Sequence, residues 1–72
     1  MNTINETHIG QYITIKDPRW NSISAGIYMG IRTSEWDGEP VHFFQDGHIN
    51  GIEQTCFAIP VEIAIKSNIT VQ

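Results

Sequence analysis

Cysteine is almost missing from this chain: Cys56 stands alone among 72 residues. No disulfide can close within the chain, so a small core has to hold unaided or through self-association. The lone thiol predicts a reducing, cytoplasmic setting, and so do the polar opening residues Met1 to His8, which carry no apolar leader run. Long hydrophobic runs are missing too. The longest, Cys56 to Val61, is interrupted by Pro60, so no membrane-crossing helix is expected. Without secretion, Asn5-Glu6-Thr7 and Asn68-Ile69-Thr70 are chance matches to a glycosylation triplet. Cations are scarce as well: four Lys and Arg against eight Asp and Glu give a formal charge of −4. Lys16, Arg19, Arg32 and Lys66 are scattered, which argues against a plain electrostatic grip on phosphate backbones. The acidic balance points to a protein partner, a basic one by complementarity, although the same charge also keeps a small protein soluble. There is no internal repeat, low-complexity segment or linker.

What is present is alternation. At this length one domain is expected, and a chain so short buries only ~60% of the surface it exposes when unfolded. Residues 1–8 read as a frayed tail with Ile4 as its anchor beyond Met1, and residues 9–72 as the domain. Ile9 to Lys16 alternates, with Ile9, Ile13 and Ile15 on one face and Tyr12, Thr14 and Lys16 on the other, which predicts a strand. Asp17 to Ser22, broken by Pro18, is a turn-rich loop holding Trp20. Ser24 to Thr33 predicts a second strand, with Ala25, Ile27, Met29 and Ile31 inward and Gly26, Tyr28, Gly30 and Arg32 outward. Two glycines on one face suit the sharp coiling that a small barrel needs, or the close approach of a partner's backbone.

Ser34 to Pro40 is a connection with Trp36 among Glu35, Asp37 and Glu39. Val41 to Gln45 predicts a short strand, with Val41 and Phe43 on one face and His42 and Phe44 on the other. Asp46-Gly47 and Asn50-Gly51 both favour positive φ, and either can make the next tight turn. Ile52 to Ile59 is extended again. Val61 to Lys66 fits strand or helix, and a single helical turn over Pro60 to Ile63 is favoured, followed by a last strand through Ile69 and Val71. The expected fold is all-β: a five- or six-stranded, strongly bent antiparallel sheet with one short helical turn near Pro60.

Short strands, two early loops, a tight hairpin, then Phe57-Ala58-Ile59-Pro60 and a helical turn before the final strand: this order resembles the SH3-like barrel. The resemblance covers most of the chain and rests on layout. It implies a groove for a peptide or protein between the Asp17 to Ser22 and Ser34 to Pro40 loops, lined by aromatics and fringed by acids. The Ala-Leu-Tyr-Asp-Tyr run of eukaryotic proline-peptide binders is absent, and the first loop carries Arg19 instead of an acidic cluster.

The first functional expectation is therefore a non-enzymatic protein-interaction module, an accessory or inhibitory protein with no cofactor. Its contact surface would combine Trp20, Tyr28 and Trp36 with Glu35, Asp37 and Glu39, an arrangement suited to arginine or lysine side chains. The competing reading of the two indoles is that they seal the ends of a thin core. The alternative function is a nucleic-acid-binding barrel, with Tyr12, His42 and Phe44 as a stacking platform beside Lys16 and Arg32. A metal site from His42, His48 and Cys56 with His8 or Asp46 matches no zinc spacing, and Cys56 in an apolar strand reads as a small buried hydrophobe before it reads as a nucleophile. Homodimerisation is expected from aromatic rings on both faces of Val41 to Gln45 and from unpaired strand edges.

Overall fold

The computed structural model describes residues 3–72; Met1 and Asn2, the start of the expected tail, lie outside the described residues. The chain is all-β. A 3₁₀ turn, Glu6–His8, precedes strands β1 (Tyr12–Asp17), β2 (Ser22–Thr33), β3 (Pro40–Ile49) and β4 (Ile52–Pro60). Helix α1 (Val61–Ile65) and strand β5 (Asn68–Val71) follow. All neighbours are antiparallel, in the order β4-β3-β2-β1-β5. A straight strand of β2's 12 residues would span ~40 Å. The whole molecule measures 27 × 26 × 24 Å, so β2 must bend strongly.

Two bulges of opposite sense produce that bend. Asp46 and Gly47 of β3 together face Gly26, lying between the pairs Ala25↔His48 and Ile27↔Gln45. Further along, Met29 is the extra residue on β2, between Tyr28↔Phe44 and Gly30↔Phe43, so the original register returns. Gly30 takes φ 106, a conformation a side chain would strain. At Gly47 the constraint is steric: a Cβ would lie 1.8 Å from the Ala25 carbonyl oxygen. The tight turn is Asn50-Gly51, with φ of 50 and 82, while Asp46-Gly47 forms the bulge and β3 runs on through His48 and Ile49.

The facing of β2 is the main correction to the alternation. Tyr28 points inward with 0% of its surface exposed, whereas Ile31 is 54% exposed. Gly26 and Gly30 are buried on either side of Tyr28, and Ile27 and Met29 are only half-buried. A tyrosine between two glycines has room to become the largest core residue, and the bulge at Met29 then breaks the alternation that Ala25 to Ile31 suggested. On β3 the core face is His42 and Phe44. Phe44 lies 5.4 Å from Tyr28 and stacks on Phe57 at 5.0 Å, 12° from parallel. Ile4, Ile13, Ile15, Ala64 and Ile69 complete the buried cluster, with Phe57, Ile59 and Val71 packed against it.

Residues 3–8 are not a loose tail. Ile4 is buried, and Asn5 caps the 3₁₀ turn: its Oδ1 accepts the Thr7 N–H at 2.9 Å while His8 Nδ1 accepts the Asn5 N–H at 3.0 Å. The first strand begins at Tyr12, not Ile9, whose side chain is exposed next to Gly30. The helix after Pro60 runs to Ile65, a little longer than the expected turn, and the Ser67 hydroxyl donates to the Ile63 carbonyl at 2.8 Å to close it. Cys56 is exposed, not buried, because it lies on the outer face of β4 opposite Gln45. Among the described residues no helix is long and apolar enough to cross a membrane.

Candidate functional site

The two tryptophan-bearing turns are built differently. In the Asp17–Ser22 turn the carboxylate is consumed internally. Asp17 Oδ1 accepts the Arg19 N–H at 3.0 Å and its Nε–H at 3.2 Å, and Oδ2 accepts from Nη2 at 3.2 Å. The Arg19 guanidinium holds the Asp17 carboxyl below the usual carboxylate range, with the Arg19 and Trp20 backbone amides adding to the effect. The same pairing raises Arg19, helped by the charge of Glu62 on α1. This is the only ion pair among the described residues.

The Ser34–Glu39 turn is closed by its backbone instead. Ser34 N–H donates to the Glu39 carbonyl at 2.8 Å, Gly38 N–H to the Ser34 carbonyl at 3.0 Å, and Trp36 N–H to Ser34 Oγ at 3.2 Å. Asp37 Oδ1 accepts the Glu39 N–H at 3.0 Å. The turn is therefore ordered without pairing its negative charges with a cation. Trp36 is 98% exposed on it, and neither Asp37 nor Glu39 finds a cationic partner among the described residues.

Against this turn α1 forms a cavity of about 250 Å³. Pro40, Val41, Pro60, Val61 and Ile65 give it an apolar floor, and Asp37, Glu39 and Glu62 stand around it. A second recess of about 320 Å³ runs on from it past Ser34 and Val41, lined by Arg32, Glu35, Trp36, Phe43 and Ala58. There the Arg32 guanidinium sits over the Phe43 ring, 4.1 Å from its centroid. The two recesses meet along Ser34 and Val41 as one track, with Asp37, Glu39 and Glu62 beside the first part and Glu35, Arg32 and the exposed Trp36 indole beside the second; none of these four carboxylates is in an ion pair among the described residues.

Of the expected contact residues, the structure brings together Trp36, Glu35, Asp37 and Glu39. Tyr28 does not belong to the surface, because it fills the core. Trp20, 77% exposed, sits at the other end of β2 and lines neither recess. Neither indole is a core lid. The stacking platform of the alternative reading is not assembled: His42 and Phe44 are 3% and 0% exposed, so only half-buried Tyr12 among its rings reaches the surface. His42 Nδ1 instead meets the Tyr28 hydroxyl at 2.8 Å. Burial pushes His42 down and Tyr28 up, which keeps the imidazole neutral and the phenol protonated.

The residues weighed for metal binding are apart. His42 is in the core, Cys56 is on the outer face, and His8 caps the 3₁₀ turn. No cluster of three His, Cys, Asp or Glu able to hold an ion exists among the described residues.

Sequence reasoning missed Pro40, Val41, Pro60, Val61, Glu62 and Ile65. A signal was available. Once the hairpin turns at Asn50-Gly51, its register pairs Val41 with Pro60, which brings both prolines and the start of α1 against the Ser34–Glu39 turn. No family model matches the chain, and comparisons with curated proteins and with solved structures find no match either.

Proposed function

We propose that this chain is a non-enzymatic protein-interaction module of SH3-like architecture that takes a basic, partly apolar peptide segment in the track between the Ser34–Glu39 turn and α1. The architecture is supported by the strand order β4-β3-β2-β1-β5 with a helical turn before the last strand. The observation that carries the function is the pairing of an apolar floor with unpaired carboxylates. Asp37, Glu39 and Glu62 form no ion pair among the described residues, although they surround a cavity floored by prolines and aliphatics. Lysine or arginine heads would meet those carboxylates while their neighbours' aliphatic parts cover Val41, Val61 and Ile65, and Trp36 would close over the bound chain. The partner is the exposed segment of a cytoplasmic protein, and the small size of the module suits an accessory or inhibitory role.

Trp36 provides the assay. In a Trp20→Phe variant the remaining indole emission reports on the site alone. Titration with peptides that interleave Arg or Lys with Leu or Pro is expected to shift that emission to the blue. Combining Asp37→Asn, Glu39→Gln and Glu62→Gln weakens binding at least tenfold and leaves the circular dichroism spectrum unchanged. Trp36 emission that no cationic peptide alters would remove this reading, as would binding that survives loss of all three charges.

A further inference from the structure

Folding sorts the charges that the sequence scatters. Lys16 on β1 faces Asn68 on β5, Lys66 lies two residues before Asn68, and Arg19 follows Lys16 in the Trp20 turn. Three of the four cations therefore come to one end of the molecule. Asp17 is the carboxylate of that turn, and Arg19 already pairs it. The other seven of the eight carboxylates lie outside the turn. Helix α1 joins this end to the track: Val61 follows Pro60 beside Val41, and Lys66 leads into Asn68 beside Lys16. Pro18 and Lys16 are exposed here, and so is Trp20. The turn is pinned on both sides. Asp17 accepts from the Arg19 N–H, the Ile23 N–H donates to Asn50 Oδ1 at 2.8 Å, and the Asn50 N–H donates to the Ile23 carbonyl at 2.7 Å. So held, the turn stays off its own chain's track, and Trp20 lines neither recess.

We propose that the Trp20 turn of one copy, with Lys16 and Lys66 beside it, seats in the track between the Trp36 turn and α1 of a second copy. The proposal rests on the track being a site for basic, partly apolar segments, and it names this chain's own turn as one of them. The turn has the composition the track calls for. Pro18 and Trp20 are exposed apolar groups that can cover the floor of Pro40, Val41 and Pro60, and the two lysines can meet Asp37, Glu39 and Glu62. Because the turn is already rigid, little order is lost when it binds. Both copies carry a charge of −4, but in ~0.15 M salt charges more than ~8 Å apart are largely screened, so the groups that meet govern the contact. Turn and track are different surfaces, so the contact is heterologous, and copies add head to tail without closing on themselves. A turn against a groove is smaller than the standard interface of ~1,600 Å², so the association is weak and shows at high concentration. A basic partner then has to displace the neighbouring copy, and self-association sets how much of the track is free.

Complementation between two variants is the test. Lys16→Gln, Trp20→Ser and Lys66→Gln together remove the docking turn; Asp37→Asn, Glu39→Gln and Glu62→Gln together remove the charge of the track. Light scattering of the unaltered chain is expected to give 8.1 kDa when dilute and an average mass beyond twice that near ~1 mM. Each variant alone should stay at 8.1 kDa. Mixed in equal amounts, they supply one intact turn and one intact track, and should form a pair and nothing larger. A mixture that does not associate overturns the proposal, as does an unaltered chain that stays at 8.1 kDa up to ~1 mM. Should either variant fail to fold, competition decides. A cationic peptide that shifts Trp36 emission must also lower the mass of the unaltered chain, and binding that leaves the mass unchanged overturns the proposal. The first variant keeps Trp36 as its sole indole and keeps the track. A blue shift with a cationic peptide in that variant, beside an unaltered chain that never self-associates, preserves the reading of the track and removes this inference alone. No shift and no self-association removes both.

Discussion

Phe43 and Phe44 are the same residue one peptide bond apart, and the fold treats them as opposites. Phe44 is enclosed: Phe57 stacks on it, Tyr28 packs on its other side, and the polar atoms nearby are paired, as Tyr28 and His42 show. Phe43 is half-buried under a guanidinium, in a recess whose one carboxylate, Glu35, forms no ion pair among the described residues. The inner face of β3 is built to hold the molecule together, and the outer face leaves attractive groups unspent. The comparison separates stability from recognition on a single strand, so substitutions on the two faces should part company when folding and binding are both measured.

The largest effect belongs to the inner ring. Phe44→Ala is expected to cost about 3–5 kcal/mol, because the removed ring leaves a cavity between Tyr28 and Phe57. A domain of this length holds roughly 4–11 kcal/mol in all, so the variant should lose most of its cooperative thermal transition. Phe43→Ala removes a half-buried ring, about 1 kcal/mol, and should still melt cooperatively while binding cationic peptides more weakly. If the two variants lost stability equally, the distinction between the faces would not stand.

How much of this distinction the chain spells out depends on the element. Of the expected strand Ile9 to Lys16 the part from Tyr12 alternates in the fold, and the run from Ile52 to Ile59 is extended as expected although its burial does not alternate throughout. Ile13 and Ile15 face the core because nothing interrupts the alternation. From Ala25 to Ile31 the alternation is real but misleading. Counting apolar residues favours the odd positions, whereas volume favours Tyr28, for which Gly26 and Gly30 make room. No local pattern announces an extra residue at Met29 either. His42 looks like a surface residue until its partner is known, and that partner, Tyr28, lies on another strand. The groove suffered most, because Val41 meets Pro60 only after the hairpin register is settled, and two turn dipeptides competed to set it.

Acidity sharpens the same comparison next. Burial keeps the His42 imidazole neutral, so its pKa in the fold lies below the ordinary 6.5. The unfolded chain takes up a proton near 6.5 that the folded chain refuses, and stability therefore falls as pH drops below that value. Asp17 acts in the same direction in a lower window. Its carboxyl is held below the ordinary 3.8 by Arg19, so its contribution is complete above 3.8 and is lost as pH falls further. Denaturation midpoints across pH should show both descents. His42→Gln, which keeps an acceptor near the Tyr28 hydroxyl, should erase the upper one and leave the lower one in place. A profile that the variant leaves unchanged would mean that the imidazole is not shielded as its surroundings indicate.

The smallest effect on folding is the most discriminating for the outer face. Arg32 over Phe43 is an exposed cation–π contact worth about 0.5–1 kcal/mol, so Arg32→Gln should lower the melting temperature only slightly. Its effect on recognition should have the opposite sign. Arg32 is the one cation lining the track, beside Glu35 and Trp36, and it repels a cationic ligand while occupying the aromatic face that such a ligand would use. Replacing it by glutamine removes the repulsion and frees the Phe43 ring. The variant should therefore bind basic peptides more tightly although it is less stable, an effect that added salt diminishes. Weaker binding by Arg32→Gln would assign the guanidinium to ligand contact and turn the charge preference of the recess from basic partners towards acidic ones.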